Sequence, residues 1–143
     1  MMVKKRVLFL CTGNSARSQM AEGLLRRLAG ERFEVFSAGI KPTAVNPLAI
    51  KAMDEIGIDI ARQRSKSVSE FVEHKFDYII TVCDHSKQTC PVFPGQNQKI
   101  SWDLEDPVLA EGMEEEKIMM FRKIRDRIKE NLLKFITIKR VGN

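Results

Sequence analysis

Cys11 opens the run Cys11-Thr12-Gly13-Asn14-Ser15-Ala16-Arg17-Ser18, in which a potential nucleophile is followed by small and polar residues and then by a guanidinium. These are the groups a tetrahedral oxyanion needs. Gly13 tolerates positive φ and Asn14 does so better than most residues, so the loop can turn tightly and aim its amides inward as an anion nest. The planar fork of Arg17 can hold two equatorial oxygens, which the point charge of a lysine does less well. The same field stabilises negative charge on the Cys11 sulfur, and Ser15 or Ser18 could donate a hydrogen bond to it. Cysteine and arginine at this spacing also arise by chance, and the plain reading of Cys11 is a buried thiol at a strand end. The loop, the arginine and the flanking elements together favour chemistry. No Gly-Lys-Ser/Thr of a nucleotide P-loop is present, which removes an ATPase or GTPase reading.

Cys83 and Cys90 complete a set of three cysteines, too few and too odd in number for a secreted disulfide framework. Cys83 follows the apolar run Tyr78-Ile79-Ile80-Thr81-Val82, so in a parallel sheet it emerges on the same edge as Cys11. If residues 84 to 90 were helical, Cys83 and Cys90 would share a face but lie ~10 Å apart along the axis. A disulfide needs Cα atoms within ~7 Å. Bonding them requires the segment to loop or unravel, which Pro91, Pro94 and Gly95 favour. The three thiols therefore read as a relay: one sulfur holds the oxyanion, a second displaces it, and the third carries the disulfide to the surface. The plain alternative makes Cys83 core filler and Cys90 an incidental surface thiol. Zinc is disfavoured, because the Cys83 to Cys90 interval is longer than the usual ligand spacing and His85 is the only nearby imidazole. No metal or cofactor is expected from these residues.

A leaving oxygen needs a proton. Asp106, before Pro107 in a loop after the last strand, is the candidate general acid. Its neighbours Asp103 and Glu105 read as solvated loop charges, His74 and His85 as surface residues, and Trp102 as core packing or a pocket wall.

The elements that must position these groups are legible as alternating periods. Arg6 to Leu10 is a continuous apolar strand, and Ser18 to Ala29 has helical spacing of Met20, Leu24, Leu25 and Leu28 with Gly30 as the stop. Phe33 to Gly39 is a second strand, and Pro47 to Ile56 a helix capped by Asn46 and ended by Gly57. Tyr78 to Val82 and Lys99 to Trp102 are further strands, with one or two helical turns expected over Ser69 to His74. Ile118, Phe121, Ile124, Ile128, Leu132 and Phe135 mark a long amphipathic helix. The fold class is α/β: a single domain with a four-stranded parallel sheet, right-handed crossovers and helices on both faces.

With 143 residues, 43% of them hydrophobic, the chain can bury a core without disulfides, and no apolar run is long enough to span a bilayer. The apolar part of the basic N-terminal stretch stops at Cys11, too short for a signal core, so a cytoplasmic protein is expected. The net charge of +5 is spread among acidic residues with no dense basic run, which suits a small anion and gives no footprint for nucleic acid.

At Cys11 to Gly23 the chain resembles the thioredoxin-coupled arsenate reductases, which share the low-molecular-weight tyrosine phosphatase fold. Ser37-Ala38-Gly39, Val45-Asn46-Pro47, Thr81-Val82-Cys83, Cys90-Pro91 and Asp106-Pro107 continue the match over nearly the whole chain. The resemblance implies that Cys11 forms a covalent adduct with arsenate, that Cys83 attacks to release arsenite, and that Cys90 leaves a Cys83–Cys90 disulfide for thioredoxin to reduce. It implies Arg17 as the oxyanion clamp and Asp106 as the acid, and a monomer is expected. Many relatives have a cysteine where Ala16 stands, so a protective bond between Cys11 and that position is missing here. Some members bind potassium through residues matching Asn14, Glu22 and Ser37 plus an aspartate where this chain places Lys66, whose ammonium would replace the ion. Two other readings stand beside this one. A low-molecular-weight tyrosine phosphatase needs only Cys11, Arg17 and Asp106, although Val108 and Leu109 supply little aromatic surface for phosphotyrosine. A non-catalytic anion-binding or redox-sensing module is the other.

Overall fold

In a computed structural model, residues 3–84 and 92–142 are described, with side chains up to 139. The first unit is β1 (Lys5–Cys11), α1 (Arg17–Ala29) and β2 (Phe33–Gly39). Next come α2 (Pro47–Asp54), a 3-10 turn at Val68–Phe71 and β3 (Tyr78–Cys83). β4 (Gln98–Asp103), a 3-10 turn at Pro107–Leu109 and α3 (Glu114–Gly142) complete the order. The strands form one sheet, β2-β1-β3-β4, parallel throughout, as the alternating pattern predicts.

Pleating divides the core between the two faces of the sheet. Val7, Phe9 and Cys11 of β1 join Ile80 and Val82 of β3 beneath all three α-helices. Leu8, Leu10 and Ile79 face the other way, onto Phe71, Phe76 and Phe93. The expected helices on both faces are thus unequal among the described residues: three α-helices on one side, a 3-10 turn and aromatic side chains on the other. The step from β1 to β2 runs one way across the sheet and the step from β2 to β3 the other, so a right-handed connection carries the second over the opposite face. α2 belongs to that connection but packs on the face of α1 and α3, so only the later part of the connection covers the opposite face. There the chain turns at Phe71, close to the helical turns expected near Ser69.

Local chemistry sets the element ends. Asn46 Oδ1 accepts from Leu48 N–H at 2.8 Å, capping α2 before Pro47. α2 stops at Asp54, two residues before the expected Ile56, because the chain unwinds toward Gly57 at φ 78°. α3 extends beyond its apolar stripe at both ends, and among its described side chains the buried ones are that stripe and Arg125. Glu55 ties α2 to α3: Arg122 Nη2 lies 2.7 Å and Arg125 Nη1 3.0 Å from its carboxylate. The hydrogen bond from Arg122, with a second from Arg125, holds the Glu55 carboxyl down at about 2 against partial desolvation. No helix among the described residues is long and apolar enough to cross a membrane.

Candidate active site

β1 ends at Cys11 between β2 and β3, where successive connections leave the sheet in opposite directions; this is the crevice where open parallel sheets bind ligands. From there residues 12–16 turn into α1, whose first residue is Arg17. The stretch 41–46 holds the turn open by taking its carbonyls. Lys41 N–H donates to Thr12 O at 2.9 Å, Thr43 N–H to Gly13 O at 3.1 Å and Asn46 N–H to Ser15 O at 2.9 Å. With the oxygens bound outside, the amides are left to the interior of the turn, and Asn14 N–H donates to Cys11 Sγ at 3.2 Å.

Asn14 alone takes the left-handed conformation in this loop, at φ 47°; Gly13, expected to share it, does not. The strain of about 1 kcal/mol is offset because the Asn14 side chain is bonded on every side. Its Oδ1 accepts from Lys66 N–H at 2.8 Å and from Gln19 Nε2 at 2.9 Å, while its Nδ2 donates to Ser18 Oγ at 2.8 Å and Ser37 Oγ at 3.0 Å. A main-chain N–H can only donate, so Lys66 fixes which end of the amide is oxygen. Ser37 Oγ, an acceptor from Asn14, then donates to Glu22 Oε1 at 2.5 Å. Ser18 Oγ, also an acceptor from Asn14, lies 2.8 Å from Cys11 Sγ and has its own proton for the sulfur. Of the two serines expected near Cys11, Ser18 is the one with a hydrogen bond to its sulfur.

Arg17 is 2% exposed; its Nη1 donates to Leu104 O at 3.0 Å and its Nη2 lies 3.3 Å from Asp106 Oδ2. Asp106 is itself held by Val108 N–H, which donates to its Oδ1 at 3.1 Å. The expected clamp and acid are therefore in contact. Of the neighbours of Asp106, Asp103 and Glu105 are exposed, and Glu105 Oε1 stands 3.9 Å from Lys123 Nζ.

Cys83 is fully buried at the end of β3, next to β1, and Leu104 N–H donates to its carbonyl at 2.9 Å. The two strand ends meet at one edge, as expected. Strand alternation, however, puts Cys83 on the face of Ile79 and Cys11 on that of Phe9. Cys90 and His85 lie outside the described residues. His74 is exposed, with Nδ1 3.3 Å from Arg6 Nη2, and Trp102 packs on Phe9 with ring centroids 6.1 Å apart.

Glu22 and Lys66 close the underside of the loop. Lys66 Nζ stands 3.5 Å from Glu22 Oε1 and donates to Arg64 O at 2.6 Å. Burial pushes the Lys66 ammonium down from the usual lysine range, and the Glu22 carboxylate offsets part of that. Every buried side-chain nitrogen and oxygen among the described residues has a partner.

The sequence pattern does not single out Gln19, Gln63, Leu104 or the role of Gly39. Gln19, Glu22 and Arg26 form a polar stripe on α1 at helical spacing, which looks like a solvent face. Gln19 is instead fully buried against residues 63–66. A Gln one position before the apolar Met20, in the first turn after the anion loop, is the one signal the sequence offers.

With this geometry in place, comparison with known proteins is specific. The model of the low molecular weight phosphotyrosine protein phosphatase family matches residues 6–142. An arsenate reductase of Halalkalibacterium halodurans is 46% identical over 134 residues, covering 94% of this chain and 96% of that protein. A solved arsenate reductase in a phosphate-binding state superposes with a TM-score of 0.79 at 34% identity, over 93% of this chain and 97% of that one. A thioredoxin-dependent arsenate reductase of Corynebacterium glutamicum gives a TM-score of 0.68 at 33% identity, over 95% of this chain and 63% of that one. A cysteine loop on the end of β1, an arginine at the head of α1 and a match over nearly the whole chain place this protein in the low molecular weight phosphotyrosine protein phosphatase family.

Proposed function

We propose that this chain reduces arsenate to arsenite in the cytoplasm, with thioredoxin as the final reductant. The Cys11 sulfur attacks arsenate held by the amides of residues 12–18 and by Arg17, and Asp106 protonates the departing oxygen. Cys83 then attacks the Cys11 sulfur. A disulfide forms, the sulfur–arsenic bond breaks, and its electron pair stays on arsenic, which leaves as arsenite. Cys90 attacks Cys83 and releases the Cys11 thiolate, and the dithiol of thioredoxin reduces the Cys83–Cys90 bond. The observation that carries this reading is the second buried thiol, Cys83, at the end of the strand beside Cys11. Hydrolysis of a phosphate ester has no use for it. Because the two cysteines belong to opposite faces, the transfer step needs the end of β3 to rearrange.

The test is arsenite release from arsenate with thioredoxin, its reductase and a nicotinamide reductant, run beside hydrolysis of an aryl phosphate. Arsenite formed over many turnovers is the expected result. Ester hydrolysis without any arsenite would leave the phosphatase reading, which the contact of Arg17 with Asp106 favours equally.

Lys66 bears on potassium. Asn14, Ser37 and Glu22 gather under the loop, but the corner nearest Glu22 is taken by the Lys66 ammonium. A metal cation there would meet a fixed positive charge, so these residues do not fit potassium, and Lys66 takes the role a cation would have. Exchanging sodium for potassium at constant ionic strength is expected to leave kcat/KM unchanged. A clear rise with potassium would refute the assignment.

A further inference from the structure

Four side chains behind the loop are joined head to tail and end on the Cys11 sulfur. Gln63 Nε2 donates to Gln19 Oε1 at 2.8 Å, and Gln19 Nε2 donates to Asn14 Oδ1 at 2.9 Å. Asn14 Nδ2 donates to Ser18 Oγ at 2.8 Å, and Ser18 Oγ lies 2.8 Å from Cys11 Sγ. At the outer end Arg26 Nη1 donates to Gln63 Oε1 at 3.3 Å. Main-chain groups fix the direction of every amide. Gln63 Nε2 also donates to Gln19 O at 3.0 Å, and Gln19 Nε2 to Asn14 O and Arg64 O, each at 3.0 Å. Carbonyls only accept, so both glutamine nitrogens are where the chain needs donors.

We infer that Gln63 and Gln19 are positioning residues for the nucleophile, forming a polarised hydrogen-bond chain that orients Asn14 and Ser18 and strengthens the bond Ser18 donates to Cys11. An amide that accepts at its oxygen donates more strongly from its nitrogen, because charge shifts across the N–C=O group. Gln19, Asn14 and Ser18 are fully buried, where little solvent screens that polarisation. The direction of the chain also suits its ends: it starts on a guanidinium and finishes on a sulfur that must carry negative charge. Gln63, only partly buried, is bonded to neither Cys11 nor the backbone of residues 11–18. Its influence must travel through Gln19.

The inference rests on Cys11 being the nucleophile, and the experiment separates the two. Gln63→Met keeps the side-chain length and removes both donor and acceptor. Alkylation of Cys11 by iodoacetamide, followed by mass spectrometry of its peptide, is expected to slow about threefold at pH 7. In arsenate reduction, kcat should fall by a similar factor at unchanged KM, because Gln63 bonds no main-chain atom of residues 11–18 and Gln19 still holds Asn14. Gln63→Lys retains a donor toward Gln19 and should restore the rate to within about twofold. In a Ser18→Ala background the link to sulfur is already cut, so Gln63→Met should have no further effect. Alkylation of Gln63→Met at the parent rate overturns the inference. So does slowing by Gln63→Lys equal to that by Gln63→Met, or a Gln63→Met effect that survives undiminished in Ser18→Ala. Arsenate reduction persisting in Cys11→Ser would instead overturn the assignment of the nucleophile and leave the alkylation results standing.

Discussion

Serine at position 11 is expected to end both arsenite release and aryl phosphate cleavage, each by about 10³-fold or more, whereas serine at position 83 should end only the first. In the proposed mechanism both reactions begin with a bond from the Cys11 sulfur to a tetrahedral centre, and a hydroxyl in the same nest is a far weaker nucleophile. They diverge afterwards. A phosphate ester intermediate is resolved by water, which needs Asp106 and not Cys83. Reduction of arsenic needs two electrons, and they come from two sulfurs becoming a disulfide. Serine at position 83 cannot supply that bond, so arsenate should convert Cys11 to an adduct and stop. Quenched samples should show the adduct by mass, free arsenite should be absent, and ester hydrolysis should stay within about threefold of the parent. Cys83 is fully buried and serine is nearly its size, so the fold should survive at about 1 kcal/mol of desolvation. Full arsenite production by Cys83→Ser would sink the relay, and arsenite production by Cys11→Ser would sink the nucleophile.

Residues that act through backbone period or formal charge are legible in the sequence alone. The unbroken apolar run from Val7 to Leu10 has the pattern of a strand buried on both faces, and that places Cys11 at its end. The Asn46-Pro47 pair marks the start of α2 because both residues act on their own backbone. Arg17 and Asp106 stand out by charge and spacing and do meet, at 3.3 Å. What escapes depends on partners distant in sequence. Gln19 looks solvent-facing because the stretch that buries it, residues 63–66, lies more than forty positions away. The sides taken by Cys11 and Cys83 follow from simple alternation, yet only the pairing of β1 with β3 shows that this alternation separates them. Asn14 takes the left-handed turn instead of Gly13 because four hydrogen bonds, two of them to the distant Ser37 and Lys66, reward an amide there, and a glycine can make none of them.

That contrast between glycines yields the other large effect. Gly39→Ala is expected to lower kcat/KM for arsenate about 100-fold, while Gly13→Ala, inside the catalytic loop, should change it by less than about threefold. A Cβ on Gly39 would stand 2.6 Å from Thr12 O and 2.8 Å from Asn14 N, both main-chain atoms of the nest. Neither can swing aside as a side chain could. Gly39 is also held from behind, since its N–H donates to Lys66 O at 2.9 Å, so relief must come from the loop moving away from β2. That displacement carries Asn14 N–H off the Cys11 sulfur and misaligns the amides meant for the oxyanion. Misplacement by about 1 Å is enough for a loss of this size, with overpacking of about 1–3 kcal/mol in folding stability beside it. A Cβ on Gly13 meets nothing closer than 3.6 Å, at Thr43 Oγ1, and the residue is not at positive φ, so alanine fits there without strain. Steady-state kinetics and thermal melts of the two variants, measured side by side, check the pair. Equal losses would mean that the loop tolerates no added methyl anywhere, and a Gly39→Ala enzyme of parental activity would mean that β2 does not set the position of the nest.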